Sequence, residues 1–402
     1  MAISSSVANA INSLTAALTM RNVFWASWPR RVPLSETELV VRALQESCQP
    51  ASLSLAEWDL LIRQGRRANL LGRLAIGLSR ANTLLAVPAQ PRMHLISAAK
   101  MAERQNLAIR WEVSCIAEAL ASAGVDLILL KGAAYVMAGL PTAEGRTFSD
   151  VDILVPKEQI EEAESALMIH GWQGAHHDAY DQRYYRQWMH EIPPMLHVRR
   201  GTTIDVHHTI LPETARVKVN TAALFEDPLP VAGFSNVHVL QPIDMVLHSA
   251  THLFHEGELD NGLRDLFDLD SLFRHFGDDA SFWAGLLSRA EVLGLQRPLY
   301  YAIVFARQML DTPVPPTVIA ALPGIAPGPA VRWLMHFCYA RALRPNHASC
   351  HVRGAWLAKK ALYIRAHWLR MPFFLLVRHL THKALLRPPK DERAPAPERQ
   401  GL

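Results

Sequence analysis

The run Phe148-Ser149-Asp150-Val151-Asp152-Ile153-Leu154-Val155 constrains the chain more than any other segment. Polar and apolar side chains alternate through its first half, the period of a half-buried strand with one polar face. Successive strand side chains point to opposite faces, so Asp150 and Asp152 share one face. Two carboxylates so placed repel each other, and a hard divalent cation would offset that repulsion. A third acid has the same setting in Thr203-Ile204-Asp205-Val206-His207. Upstream, the apolar run Leu127-Ile128-Leu129-Leu130 stops at Lys131-Gly132-Ala133-Ala134, the mark of a strand ending in a tight turn.

The elements around this core read as strand, helix, strand, helix, then strands. Val125–Leu130 is expected as a strand, 132–138 as a helix and 139–147 as a loop before the acid-pair strand. Lys157–His170 reads as a charged amphipathic helix stopped by Gly171, and Leu196–Arg200 and Thr203–His208 as two strands joined at Gly201. The fold class is therefore α+β, a mixed sheet with helices on one side. Helical pattern surrounds it. Leu39–Leu78 is helical, with Ser35 and Glu38 spaced as a capping box. Met93–Ser122 forms a long helix with Leu95, Ala99, Ala102, Ile109, Val113, Ile116 and Leu120 on one stripe, after a break at Pro88 and Pro91. Ile243–Phe254, Leu259–Phe276, Ala280–Leu293 and Pro298–Leu310 are further helices. The proline-rich Pro313–Pro329 is expected as an irregular linker, and Val331–Leu386 as helix-like again. The expected units are a flexible N-terminus (1–35), a helical region (36–118), a catalytic domain (119–240), a helical domain (241–311), a basic helical region (312–387) and a disordered tail (388–402).

Charge is unevenly spread. Between Thr312 and Lys390 there are twelve Lys and Arg and no acid, so the formal +4 of the chain rests on that region and the part before it is net acidic. A basic region attached to an acidic body points to an anionic partner, a membrane surface or nucleic acid. Trp356, Trp368, Phe373, Phe374 and Leu376 lie among Lys359, Lys360, Arg365, Arg370, Arg378 and Lys383, which suits an interfacial helix, base stacking, or a core helix with a basic outer face. No apolar run approaches the ~20 residues needed to span a bilayer. Cys48, Cys115, Cys338 and Cys350 show no metal or redox spacing, which points to a reducing cytoplasmic setting, peripheral to a membrane if the basic region docks there. The acid-free first 35 residues, with Arg21, Arg30 and Arg31, resemble a transit peptide in composition, but a disordered or loosely docked terminus is the preferred reading.

Turn, acid pair and third acid, in that order, supply what nucleotidyl transfer requires: carboxylates for two Mg2+ ions that clamp the α-phosphate, a grip on the triphosphate, and a base for the acceptor hydroxyl. Asp150, Asp152 and Asp205 are the metal and catalytic candidates. Gly132 admits phosphate close to the backbone, and Lys131 and Arg146 carry charge for the triphosphate, Arg146 having Asp150 and Glu144 as alternative partners. Ser149 is a nucleotide-binding candidate and otherwise a structural hydroxyl. His207 shares the face of Asp205 and lines the site. His248, His252 and His255 have zinc-capable spacing on one helical face, without the Glu or Cys that would complete a site, so a surface or interhelical hydrogen-bonding role is expected. His176, His177 and His190 carry no pattern.

The residues Leu130-Lys131-Gly132-Ala133, Arg146-Thr147-Phe148-Ser149-Asp150-Val151-Asp152-Ile153-Leu154-Val155 and Ile204-Asp205-Val206-His207 resemble the DNA polymerase β-type nucleotidyltransferase superfamily, and within it the bacterial "uncharacterised nucleotidyltransferase" family. The turn and the acid block are also similar to abortive-infection nucleotidyltransferase toxins, in which a later helix carries an Arg-x-Asp-x-x-Asp-like element. Arg264, Asp265 and Asp268 are loosely similar to it, and an intrahelical ion pair is the alternative there. The resemblance covers roughly residues 120–275 and implies the fold, the Mg2+ dependence and the roles of the three Asp; it does not imply a substrate, and an NTP, with ATP among the candidates, is the expectation from the site. The acceptor stays open. Ala133 stands where the superfamily turn carries Ser or Gly, and the spacing from Gly132 to Asp150 is long. The rival expectation is a catalytically inactive scaffold of the same fold that acts through its basic region.

Overall fold

The structure is a computed structural model and describes residues 32, 38–45, 52–174, 185–186, 188–255, 257 and 259–372. Thirteen helices stand among these residues. The first four are α1 (Leu39–Leu44), α2 (Leu55–Arg67), α3 (Leu71–Arg80) and the 33-residue α4 (Ala89–Ala121). Strand β1 (Leu127–Leu129) leads directly into α5 (Lys131–Met137), and β2 (Asp150–Leu154) into α6 (Ile160–Ile169). Short strands β3 (Trp172–Gly174), β4 (Met195–His197), β5 (Thr203–His207), β6 (Leu229–Pro230) and β7 (Val237–Val239) follow. The chain then runs through α7 (Pro242–His255), α8 (Gly262–Phe276), α9 (Ala280–Val292), α10 (Gln296–Leu310), α11 (Pro316–Ile325), α12 (Pro329–Ala342) and α13 (Ala355–Arg370).

The strands form one mixed seven-stranded sheet in the order β3-β4-β5-β2-β1-β7-β6. β2 pairs parallel with β5 and antiparallel with β1, and β1 pairs parallel with β7. The α+β architecture is as the sequence implies. Val151 and Ile153 of β2 and Ile204 and Val206 of β5 are almost fully buried, on the face opposite the carboxylates, so hydrophobic burial fixes the register. The stripe of α4 residues Leu95, Ala102, Ile109, Val113, Ile116 and Leu120 is buried as its spacing requires.

Several boundaries differ from expectation for identifiable reasons. Pro91 does not break the chain. It lies in the first turn of α4, where a missing N–H leaves no bond unmade. Pro313–Pro329 is not an irregular linker, because Pro316 and Pro329 sit at the start of α11 and α12, where proline's fixed φ suits a helix. Pro323 lies inside α11. The helical pattern of Leu39–Leu78 is divided among α1, α2 and α3. The capping box that forms is Ser54 with Glu57 at the start of α2. Ser35 lies outside the described residues, and Glu38, itself buried, makes no cap but accepts a 2.6 Å hydrogen bond from Arg344. Also outside are Arg21, Arg30, Arg31, Cys48, His176, His177, Phe373, Phe374, Leu376, Arg378, Lys383 and the 388–402 tail.

Candidate active site

Strand pairing assembles the carboxylates. In the parallel β2–β5 ladder Asp152 is in register with Asp205 and Asp150 with Thr203. In-register residues of neighbouring strands project to the same face, and Asp150 and Asp152 are two positions apart, so the three acids share it. Their charges reach one another. Burial, then the charges of Asp152, Glu191 and Asp150, pushes the Asp205 carboxyl up to about 7. Burial followed by the charge of Asp152 raises Asp150, whose Oδ1 accepts a 3.0 Å hydrogen bond from Ser149 Oγ.

Asp152 is held ionised despite its burial. The charge of Lys131 and the hydrogen bond and charge of His207 bring it well below the usual carboxylate range. Lys131 Nζ donates to Asp152 Oδ1 at 3.0 Å, and His207 Nε2 lies 3.1 Å from the same oxygen. The backbone explains the reach of the lysine. Leu130 N donates to Asp152 O at 3.0 Å, so the chain leaves the sheet beside Asp152. Lys131 then adopts φ +43°, in the left-handed region that non-glycine residues rarely enter, and opens α5. Strain of this kind persists where the surroundings over-determine it, as at functional turns. Burial pulls the Lys131 ammonium down, but the charge and hydrogen bond of Asp152 outweigh that and leave it raised.

The strained residue of the turn is thus Lys131, whereas Gly132 serves a different need. A Cβ on Gly132 would lie 2.5 Å from the Phe148 ring and 2.6 Å from Arg146 Nη1. Arg146 is 6% exposed and pairs with neither Asp150 nor Glu144. Its Nε donates to Asp268 Oδ2 at 2.8 Å, and its guanidinium lies 4.9 Å from the Phe148 ring centre. Arg73 pairs with the other oxygen of Asp268. Arg264 pairs with its neighbour Asp265 at 2.8 Å and not with Asp268.

The two β2 carboxylates open onto a cleft of about 380 Å3, whereas Asp205 and His207 are not among its lining residues. Its walls are Lys131, Gly132, Arg146, Phe148, Ser149, Asp150, Asp152, His252, Asp260, Asn261, Arg264 and Asp265. The first turn of α8 and the end of α7 therefore face the β2 carboxylates across a space of ligand size. His248 and His255 are buried rather than on the surface, each with an Nδ1 that has no partner among the described residues. His252 lines the cleft.

Sequence reasoning missed Glu191 and His190. Glu191 forms an antiparallel bridge with His207, and His208 N donates to His190 O at 2.9 Å, so this segment runs along β5. Glu191 Oε2 lies 3.3 Å from His207 Nδ1. The segment is too short for a strand pattern and is broken by Pro193 and Pro194. The only available signal was an acid beside buried Met189 and Ile192.

The donor set fits a divalent cation. Asp205 Oδ1 is buried with no hydrogen-bond partner among the described residues, which a native structure tolerates poorly unless something binds there. Three carboxylates on one sheet face, Asp152 held ionised between Asp150 and Asp205, are oxygen donors of the kind that suits Mg2+.

A mixed seven-stranded sheet with helical flanks, with this acid set beside a strand-to-helix turn, is consistent with a nucleotidyltransferase fold. The chain belongs to the family described as "Uncharacterised nucleotidyltransferase", which matches residues 54–311, more than half of the sequence. The match runs from the Ser54 cap of α2 to the end of α10 and leaves the apolar α11 and the basic helices α12 and α13 outside. No curated protein and no solved structure matches the chain.

Proposed function

We propose that this protein is a Mg2+-dependent nucleotidyltransferase that moves a nucleoside monophosphate from an NTP to a hydroxyl and releases pyrophosphate. The observation that carries the reading is the in-register Asp152–Asp205 pair, with Asp205 Oδ1 buried and unpartnered among the described residues. Asp150, Asp152 and Asp205 would hold the metal, which when bound supplies charge neutralisation at the α-phosphate. The acceptor oxygen forms a bond to the α-phosphorus as the bond to the bridging oxygen of the β-phosphate breaks, and pyrophosphate leaves. Asp205, in register beside Asp152, is the group placed to take the proton of the acceptor. Lys131 offers its ammonium to the triphosphate, and the Arg146–Asp268 pair fixes the cleft wall formed by Phe148. The test uses each of four NTPs labelled on the α-phosphate with Mg2+ and acceptor pools of protein, glycan, RNA and small molecules. Label transfer matched by pyrophosphate is expected, and no pyrophosphate with any NTP would favour the scaffold reading.

For the region outside the family match we propose an anionic lipid surface as partner. α12 and α13 expose Trp333, Trp356, Leu357 and Ile364, while no acid occurs between Thr312 and Lys390. Aromatic and cationic side chains combined in this way suit a bilayer interface. Among the described residues no single helix is long and apolar enough to cross a membrane. Only α11 and α12 together pass by length and composition, across a 116° bend.

A further inference from the structure

We propose that His190, Glu191 and His207 form a second cation site, distinct in chemistry from the three aspartates and suited to a zinc-like transition metal. The antiparallel bridge between Glu191 and His207 brings their side chains together, and the neighbouring His190 ring stacks on that of His207 with centroids 5.2 Å apart. One donor atom from each residue lies within 4.8 Å of the others. His207 Nδ1 is 3.3 Å from Glu191 Oε2, and His190 Nε2 is 3.9 Å from the same oxygen. An ion bonded at ~2.0–2.2 Å in tetrahedral geometry holds its ligand atoms roughly 3.3–3.5 Å apart, so small side-chain rotations complete the set.

The other nitrogen of His207 strengthens the case. Its Nε2 lies 3.1 Å from Asp152 Oδ1. With Nε2 turned to that carboxylate, Nδ1 faces Glu191 Oε2, a gap that either a proton or a cation bridges. Ligating histidines characteristically donate their second N–H to a carboxylate, which sets the tautomer and raises ligand basicity. Two imidazoles and one carboxylate select Zn2+ or a related ion over Mg2+, and leave a fourth position open. Asp152 then belongs to both sites, accepting from His207 on one side and facing Asp150 and Asp205 on the other. The inference concerns metal binding and holds whether or not the protein turns over NTP.

The test is equilibrium dialysis of metal-stripped full-length protein against Zn2+ or Co2+ in millimolar Mg2+, with elemental analysis and Co2+ visible spectra. One zinc per chain is expected, with cobalt bands of a low-coordinate nitrogen and oxygen site. His190→Ala and the near-isosteric Glu191→Gln should each weaken zinc binding at least ~10-fold, while Asp205→Asn keeps it. Substoichiometric zinc in the wild type, or unchanged zinc affinity in a folded Glu191→Gln protein, would overturn the proposal.

Discussion

Replacing Asp268 tests how this cleft is held. Its carboxylate is shared by two guanidinium groups, Arg146 at 2.8 Å and Arg73 on the other oxygen. The three side chains are 4%, 7% and 10% exposed for Asp268, Arg146 and Arg73. Burial already pulls the Arg73 guanidinium down, and only Asp268 works against it strongly. Asp268→Ala therefore leaves two buried cations whose remaining acceptors are the backbone oxygens of Thr142 and Thr147. Breaking a buried pair in this way costs about 3–5 kcal/mol, whereas replacing all partners by apolar groups is often near neutral. At roughly 2–4 °C per kcal/mol the single variant should melt on the order of 10 °C lower. The triple variant Arg73→Met, Arg146→Met, Asp268→Leu should recover most of that loss. Urea unfolding followed by far-UV circular dichroism gives both values. An Asp268→Ala protein within about 0.5 kcal/mol of wild type, or no more stable when the arginines are also removed, would refute the account.

Gly132→Ala should cost about 1–3 kcal/mol in the same assay, because the new methyl meets Phe148 and Arg146, both already fixed; an unchanged midpoint would show that the packing yields freely. Asp205 holds its proton up to about pH 7 in the metal-free protein. That proton must leave before a cation binds, so Mg2+ affinity should rise as pH increases through 7, with proton release seen by calorimetry in buffers of different ionisation enthalpy; a pH-independent affinity would contradict the assigned ligand. Anionic vesicles should blue-shift tryptophan emission and lose that effect as salt is raised, since screening acts over ~8 Å at physiological ionic strength; no shift, with binding to RNA instead, would reverse the choice of partner.

The parts of this site legible in the sequence are those with a local period. Alternation in Phe148–Val155 and Thr203–His207 places three acids on one sheet face, and burial of Val151, Ile153, Ile204 and Val206 is its other half. The parallel pairing of β2 with β5 was not encoded locally, nor were β6 and β7, which span two and three residues. Partner choice at long range was equally hidden. Arg146 had nearby acids to pair with and instead meets Asp268, 122 residues away, because α8 packs across the cleft. Glu191 reached the site through a single bridge that no strand pattern announces.

The account rests on the β2 carboxylates being the heart of a metal-dependent transfer site. Pyrophosphate release should therefore be compared among wild type, Asp150→Asn and Asp152→Asn, with all four NTPs and Mg2+, on proteins shown by circular dichroism to be folded. Loss of at least ~10²-fold in each variant is predicted, the scale of removing a central charge-stabilising group. Wild-type rates in either folded variant would contradict the assignment.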